Sequence, residues 1–177
     1  MVTKTWRIAA LITLALLSAM AENSTAQTDA PFTLRPTASS GTYLNPALAY
    51  DGSFTTYSYG TVTQSLKGAK SKTETWSGFS SAPPGASGMQ LNINSSAATQ
   101  TGGTAEIDYS LDGGTTFTSV YFLENTSRGQ QTDSIALSNT QDLTKVRVKA
   151  NVFAFSDGTY NTTSTQKVYE IWISGTD

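Results

Sequence analysis

Beyond residue 30 the chain is a succession of short runs in which apolar and polar side chains alternate, each closed by Gly, Pro, Ser, Thr or Asn. The strictest is Lys145-Val146-Arg147-Val148-Lys149-Ala150-Asn151-Val152, where a polar and an apolar side chain exchange places at every step. A period of two puts the apolar groups on one face, so this run predicts a strand with one side in a core and the other in water. Segments 89–94 and 105–109 alternate in the same way. Val168-Tyr169-Glu170-Ile171-Trp172-Ile173 is apolar on both faces except at Glu170, the pattern of a central strand. Further strands are predicted at 32–35, 57–66, 73–79, 116–122 and 132–137, with polar loops at 123–131 and 155–166. No segment after residue 21 keeps a helical period for three turns, and no repeat of fixed length recurs. The expected fold is therefore all-β: one antiparallel β-sandwich or jelly roll of about eight or nine strands spanning 31–177.

The first thirty residues follow another pattern. Lys4 and Arg7 precede an uncharged apolar stretch over 8–17 and the small-x-small triplet Ala19-Met20-Ala21. This predicts a signal peptide over 1–21, followed by a flexible polar stretch over 22–30. The apolar run is shorter than the roughly 20 residues that cross a bilayer, so no membrane span is expected and the mature chain is expected to be secreted.

Charge and composition then narrow the chemistry. The formal net charge is −2, and two units more negative without Lys4 and Arg7, which disfavours nucleic acid as a partner. There is no histidine and no cysteine. That removes Ser-His-Asp and Cys-His catalysis, the usual zinc ligands, redox thiols and disulfides. Carboxylate chemistry, calcium and binding remain.

Three groups of residues bear on these. Asp51-Gly52-Ser53-Phe54-Thr55-Thr56-Tyr57 is an acidic turn rich in hydroxyls, and Glu170 is the lone acid of the last apolar run. Together they offer hard oxygens of the kind calcium prefers. Tyr109-Ser110-Leu111-Asp112-Gly113-Gly114-Thr115-Thr116-Phe117 predicts a hairpin in which Asp112 accepts turn amides, with the pattern of an Asp-box and a structural role. Glu106 and Asp108 share a strand face at about 7 Å, near the spacing of a glycosidase pair, and also read simply as a wet face. Lys145, Arg147 and Lys149 form a basic stripe that reads as a solvated outer face.

Read in order, Ala49-Tyr50-Asp51-Gly52 with Thr56-Tyr57, then Tyr109-Ser110-x-Asp112-Gly113 with Phe117 and Val120, then Val146-Arg147-Val148, then Tyr169-Glu170-Ile171-x-Ile173-x-Gly175 resemble the discoidin or coagulation-factor type C family. That family belongs to the galactose-binding-like jelly rolls. The resemblance implies a structural calcium held by Asp51 and Glu170, with Ser53 and Thr56 adding oxygens. The family often has a second acid where Ser53 stands, and many of its galactose-binding members use a histidine that this chain lacks. The resemblance also implies carbohydrate binding by aromatic and polar groups on loops, for which the candidates are Tyr57, Phe79, Arg128, Asp157, Tyr160 and Asn161, with Tyr160 and Asn161 first. The expected function is thus a non-catalytic secreted module for cell-surface or matrix carbohydrate. The alternative is a structural or adhesive protein that acts through protein contacts, and a glycosidase or lyase acting through Glu106 and Asp108 is the third.

Overall fold

The computed structural model describes residues 29–177, so the expected signal peptide and most of the polar stretch after it lie outside the described residues. Among the described residues there are ten strands: β1 (Pro31–Leu34), β2 (Ala38–Gly41), β3 (Ser58–Gln64), β4 (Gly68–Ser77), β5 (Ser87–Thr99), β6 (Gly103–Ser110), β7 (Thr118–Glu124), β8 (Ser127–Ala136), β9 (Arg147–Ser156) and β10 (Thr162–Thr176). They build two five-stranded antiparallel sheets. In the first, β10 pairs with β5 on one side and with both β3 and β1 on the other, and β8 flanks β5. The second runs β2-β4-β9-β6-β7. The chain changes sheet at every connection except β6 to β7, and β3 to β10 trace the eight strands of a jelly roll.

The alternating runs dictate the core. Leu91, Ile93, Ile107, Val148, Val152, Ile171 and Ile173 are fully buried between the sheets, together with Trp76. The Trp76 indole N–H donates to the Pro46 carbonyl at 2.9 Å, so the ring is buried without an orphaned donor. Several polar side chains sit as deep, Gln166 and Glu170 among them. Gln166, at 0 % exposure, accepts from the Tyr43 hydroxyl at 2.6 Å and donates to the Tyr121 hydroxyl at 2.7 Å and to the Glu106 carbonyl at 3.1 Å.

β10 is central, as its apolar pattern implies, and it carries a bulge. Its register against β5 shifts between Val168 and Glu170. Val168 and Ile171 are both core residues, so the two residues between them leave the core together: Tyr169 meets the Tyr57 ring and Glu170 meets Arg35.

Other expectations need correction. The polar loop predicted at 123–131 is mostly strand: β7 runs to Glu124 and β8 starts at Ser127, with the chain reversing at Asn125 (φ 50) and Thr126. β8 is a sheet edge, and Ser127-Arg128-Gly129-Gln130-Gln131-Thr132 has no apolar alternation to announce it. β2, Ala-Ser-Ser-Gly, was not predicted for the same reason. The strand expected from Lys145 begins at Arg147, because Leu143–Lys145 is a 3-10 turn capped by Asp142, whose side chain accepts from the Thr144 amide. The loop predicted at 155–166 shrinks to 157–161.

Candidate functional site

The acidic turn lies against the outer face of the first sheet. Gly52 takes φ 84, which favours glycine, and this aims its amide at Glu170 Oε2, 3.0 Å away. Asp51 Oδ1 accepts from the Ser53 amide at 2.8 Å and Oδ2 from the Thr56 hydroxyl at 2.6 Å. Ser53 Oγ accepts from the amides of Thr55 and Thr56. Glu170 is fully buried, and its Oε1 accepts from Arg35 Nε at 2.5 Å. The four residues that the resemblance implies as calcium ligands lie near one another, and a guanidinium and the loop's own donors already engage both acids. Among the described residues, no three acids, histidines or cysteines group as a metal site would need.

The same loop carries aromatic groups onto the sheet. Phe54 meets Trp172 edge-on at 5.4 Å, and Gln130 Nε2 donates to the Phe54 carbonyl and to Asn94 Oδ1. The Tyr57 ring packs edge-on against Tyr169 at 5.4 Å and Tyr59 at 6.3 Å, and Lys167 Nζ stands 4.2 Å from its centroid.

The remaining candidates separate. Phe79 is 3 % exposed and belongs to the core, so its ring has no face for a ligand. Arg128 lies in β8, where its guanidinium pairs with Asp133 and sits 4.2 Å from the centroid of the Tyr121 ring. Asp157 is a turn former: its Oδ1 accepts from the Thr159 amide at 2.8 Å. Tyr160 and Asn161 do come together, in an open depression of about 300 Å³ shared with Gln100 and Thr101 from the β5–β6 turn. The Tyr160 side is 41 % exposed. The depression is fixed by bonds between side chains and backbone. The Tyr160 carbonyl accepts from Ser156 Oγ at 2.6 Å, Gln100 Oε1 accepts from the Thr163 amide, and the Thr101 carbonyl accepts from Thr162 Oγ1. Gln100 and Thr101 carry no sequence signal, because only the pairing of β5 with β10 sets them beside residue 160.

Glu106 and Asp108 face outward on the second sheet. Asp108 pairs with Lys149 at 2.8 Å and Glu106 accepts weakly from Asn151 at 3.5 Å. Neither lines the depression at Tyr160. The Asp112 hairpin is a self-contained turn: the Asp112 carboxylate accepts from the amides of Thr115 and Thr116 and from the hydroxyls of Ser110 and Thr116.

Two sets of acids titrate in opposite senses. Glu74, Glu106 and Glu170 are raised above the ordinary glutamate value, first of all by burial; for Glu170 this outweighs Arg35 and the Gly52 amide. Their contribution to stability is present below the unfolded value and lost as pH rises through the folded one. Asp112, Asp142 and Asp157 are held down, chiefly by hydrogen bonds from Thr116, Thr144 and Thr159. Their contribution is present above the unfolded value and lost as pH falls through the folded one. Stability should therefore fall off on both the acid and the alkaline side of a mildly acid optimum. Calorimetric midpoints from acid to alkaline pH check this, and a midpoint that climbs steadily to neutrality contradicts it.

The topology and register define a jelly-roll β-sandwich with a loop-end depression. No family model and no curated protein matches the chain. Solved structures with a similar course include a truncated AlyQ with CBM32 and alginate lyase domains, at 14 % identity and TM-score 0.38, matched over 85 % of this chain and 35 % of that one. TmCBM61 in complex with β-1,4-galactotriose is similar at 14 % identity and TM-score 0.34, over 81 % and 86 % of the two chains. Chitosan-binding module 1 from a chitosanase/glucanase of Paenibacillus sp. IK-5 is similar at 18 % identity and TM-score 0.33, over 82 % and 93 %. Likeness at this level leaves the function to the geometry of this chain.

Proposed function

We propose that this protein is a non-catalytic carbohydrate-binding module, exported under the direction of residues 1–21, that takes sugar at the loop end of the sandwich. The observation that carries the reading is the exposed Tyr160 ring beside Asn161, Gln100 and Thr101. A pyranose has an apolar C–H face and a rim of hydroxyls, and this site sets an aromatic ring among amide and hydroxyl groups. Hydrogen bonds already hold the loops of the depression, so binding adds little ordering cost from the protein.

The loop at Asp51 steadies the fold beneath. Its cation, expected as calcium, is in this reading the Arg35 guanidinium, which neutralises Glu170 from within the chain.

Affinity electrophoresis in gels holding galactan or chitosan, the polymers nearest the sugars named for the similar structures, tests the sugar site. Tyr160→Ala should weaken retardation roughly tenfold or more, the equivalent of about 1.4 kcal/mol, while the thermal midpoint stays put. Tyr160→Phe should keep most of it. Equal retardation of Tyr160→Ala and the parent chain would remove Tyr160 from the function.

A structural or adhesive role is the second reading, favoured by the outer face of the second sheet, where Phe122 and Phe155 are 56 % and 42 % exposed. Concentration-dependent sedimentation with no retardation by any polysaccharide would select it.

A further inference from the structure

A second concavity lies on the outer face of the first sheet, and we propose that it binds an anionic saccharide, a sugar ring bearing a carboxylate or a sulfate. It encloses about 350 Å³ between β8, β5 and β10. Ser96 and Ala98 form part of its floor, Ser127 and Gln130 one side, Thr165 and Lys167 the other. It is separate from the depression at Tyr160 and does not rest on the reading given for that site.

The backbone makes room for it. The register of β5 against β8 shifts between Ser95 and Ala97, so Gly129 and Gln130 of β8 stand opposite Ser96 alone and the bulge lies in β8, at the concavity. Tyr169, two positions after Lys167, points to the same face, where its hydroxyl lies 3.4 Å from Ser96 Oγ. Tyr169 supports the Tyr57 ring, and that ring holds the Lys167 ammonium 4.2 Å from its centroid.

The charge is one-sided. No carboxylate lines the concavity, and among the described residues none pairs with Lys167. The other cation there, Arg128, is already paired with Asp133. A chain of net charge −2 thus presents an uncompensated ammonium at a concave site. Aromatic support fixes its position without neutralising it, which favours an anion over water as its partner.

The neutral groups suit the rest of a sugar acid. Within the described residues the hydroxyls of Ser127 and Thr165 make no hydrogen bond, and Ser96 Oγ has only the long contact to Tyr169. Three under-used hydroxyls around an alanine floor match the hydroxyl rim and C–H face of one pyranose, with Lys167 meeting its acid.

The test uses the full chain in affinity gels holding polygalacturonate, dextran sulfate or neutral dextran. The proposal expects retardation by at least one anionic polymer, weakening as salt rises, and none by dextran. Which polymer retards the chain tells carboxylate from sulfate. Lys167→Gln should weaken that retardation roughly tenfold, and Thr165→Val, which keeps the charge, should weaken it less. Tyr160→Ala should leave it intact, so failure at one site is distinguishable from failure at the other. No retardation by either anionic polymer, or Lys167→Gln running like the parent chain with an unchanged thermal midpoint, overturns the proposal.

Discussion

Gln166→Leu should cost this domain about 3–5 kcal/mol of stability, measured by urea unfolding at neutral pH. The replacement is apolar, close in volume and lies in a core, where hydrophobic substitutions are ordinarily tolerated. Here it strands what the amide served. The Tyr43 hydroxyl loses its acceptor at 2.6 Å and the Glu106 carbonyl loses its donor at 3.1 Å, while Tyr121 keeps only the longer contact to Ser95. Each buried polar group left without a partner costs about 1–3 kcal/mol. Domains of this kind hold about 5–15 kcal/mol in all, so the variant sits near its threshold. Tyr43→Phe in the same chain removes one of the stranded groups and should recover part of the loss, giving a non-additive double-mutant cycle. A loss below about 1 kcal/mol, or strict additivity, would show that water reaches the network.

Arg35→Met should cost about 2–3 kcal/mol at neutral pH. Breaking a fully buried pair costs about 3–5 kcal/mol because it strands a charge; here the Arg35 side chain is 40 % exposed, so screening trims the figure. Glu170 would keep only the Gly52 amide. The loss should shrink as pH falls, since burial already raises the Glu170 carboxyl and removal of Arg35 raises it further. Glu170→Gln in the Arg35→Met chain should restore stability for the same reason. The experiment also decides the cation. Calcium should leave the midpoint of the parent chain unchanged; a calcium-dependent gain of about 2.7 kcal/mol at a hundredfold excess over Kd would return the metal to the Asp51 loop.

The sheets were legible wherever burial imposed a period of two. The runs around Val148, Leu91 and Ile107 announced their strands because one face of each is core. Glu170 stood out because a lone acid in an apolar run requires a partner. β8 and β2 did not stand out, because edge strands need backbone pairing and little apolar pattern. The site was legible only in part. Asp51 and Glu170 could be suspected as neighbours from chemistry, but Arg35 reaches Glu170 only because β1 pairs with the far end of β10, a contact across 135 positions. Phe79 ends the strand predicted at 73–79, beside a loop, and tertiary packing, which has no local signature, buries it. The groove at Lys167 was invisible for a related reason: its walls come from three strands, and two of them are bent by bulges.

Five consecutive residues of β10 divide the work of the molecule among themselves. Gln166 belongs to the core network, Lys167 to the groove, Val168 to the apolar core, Tyr169 to the aromatic wall and Glu170 to the ion pair. Recognition and foldability are therefore written in one short stretch of text, and no letter of it can be changed for the sake of one without being read by the other. Anyone wishing to redirect the groove to a new ligand should leave that stretch alone and vary the opposite bank, where Ser127 and Gln130 sit on an edge strand that the core scarcely consults.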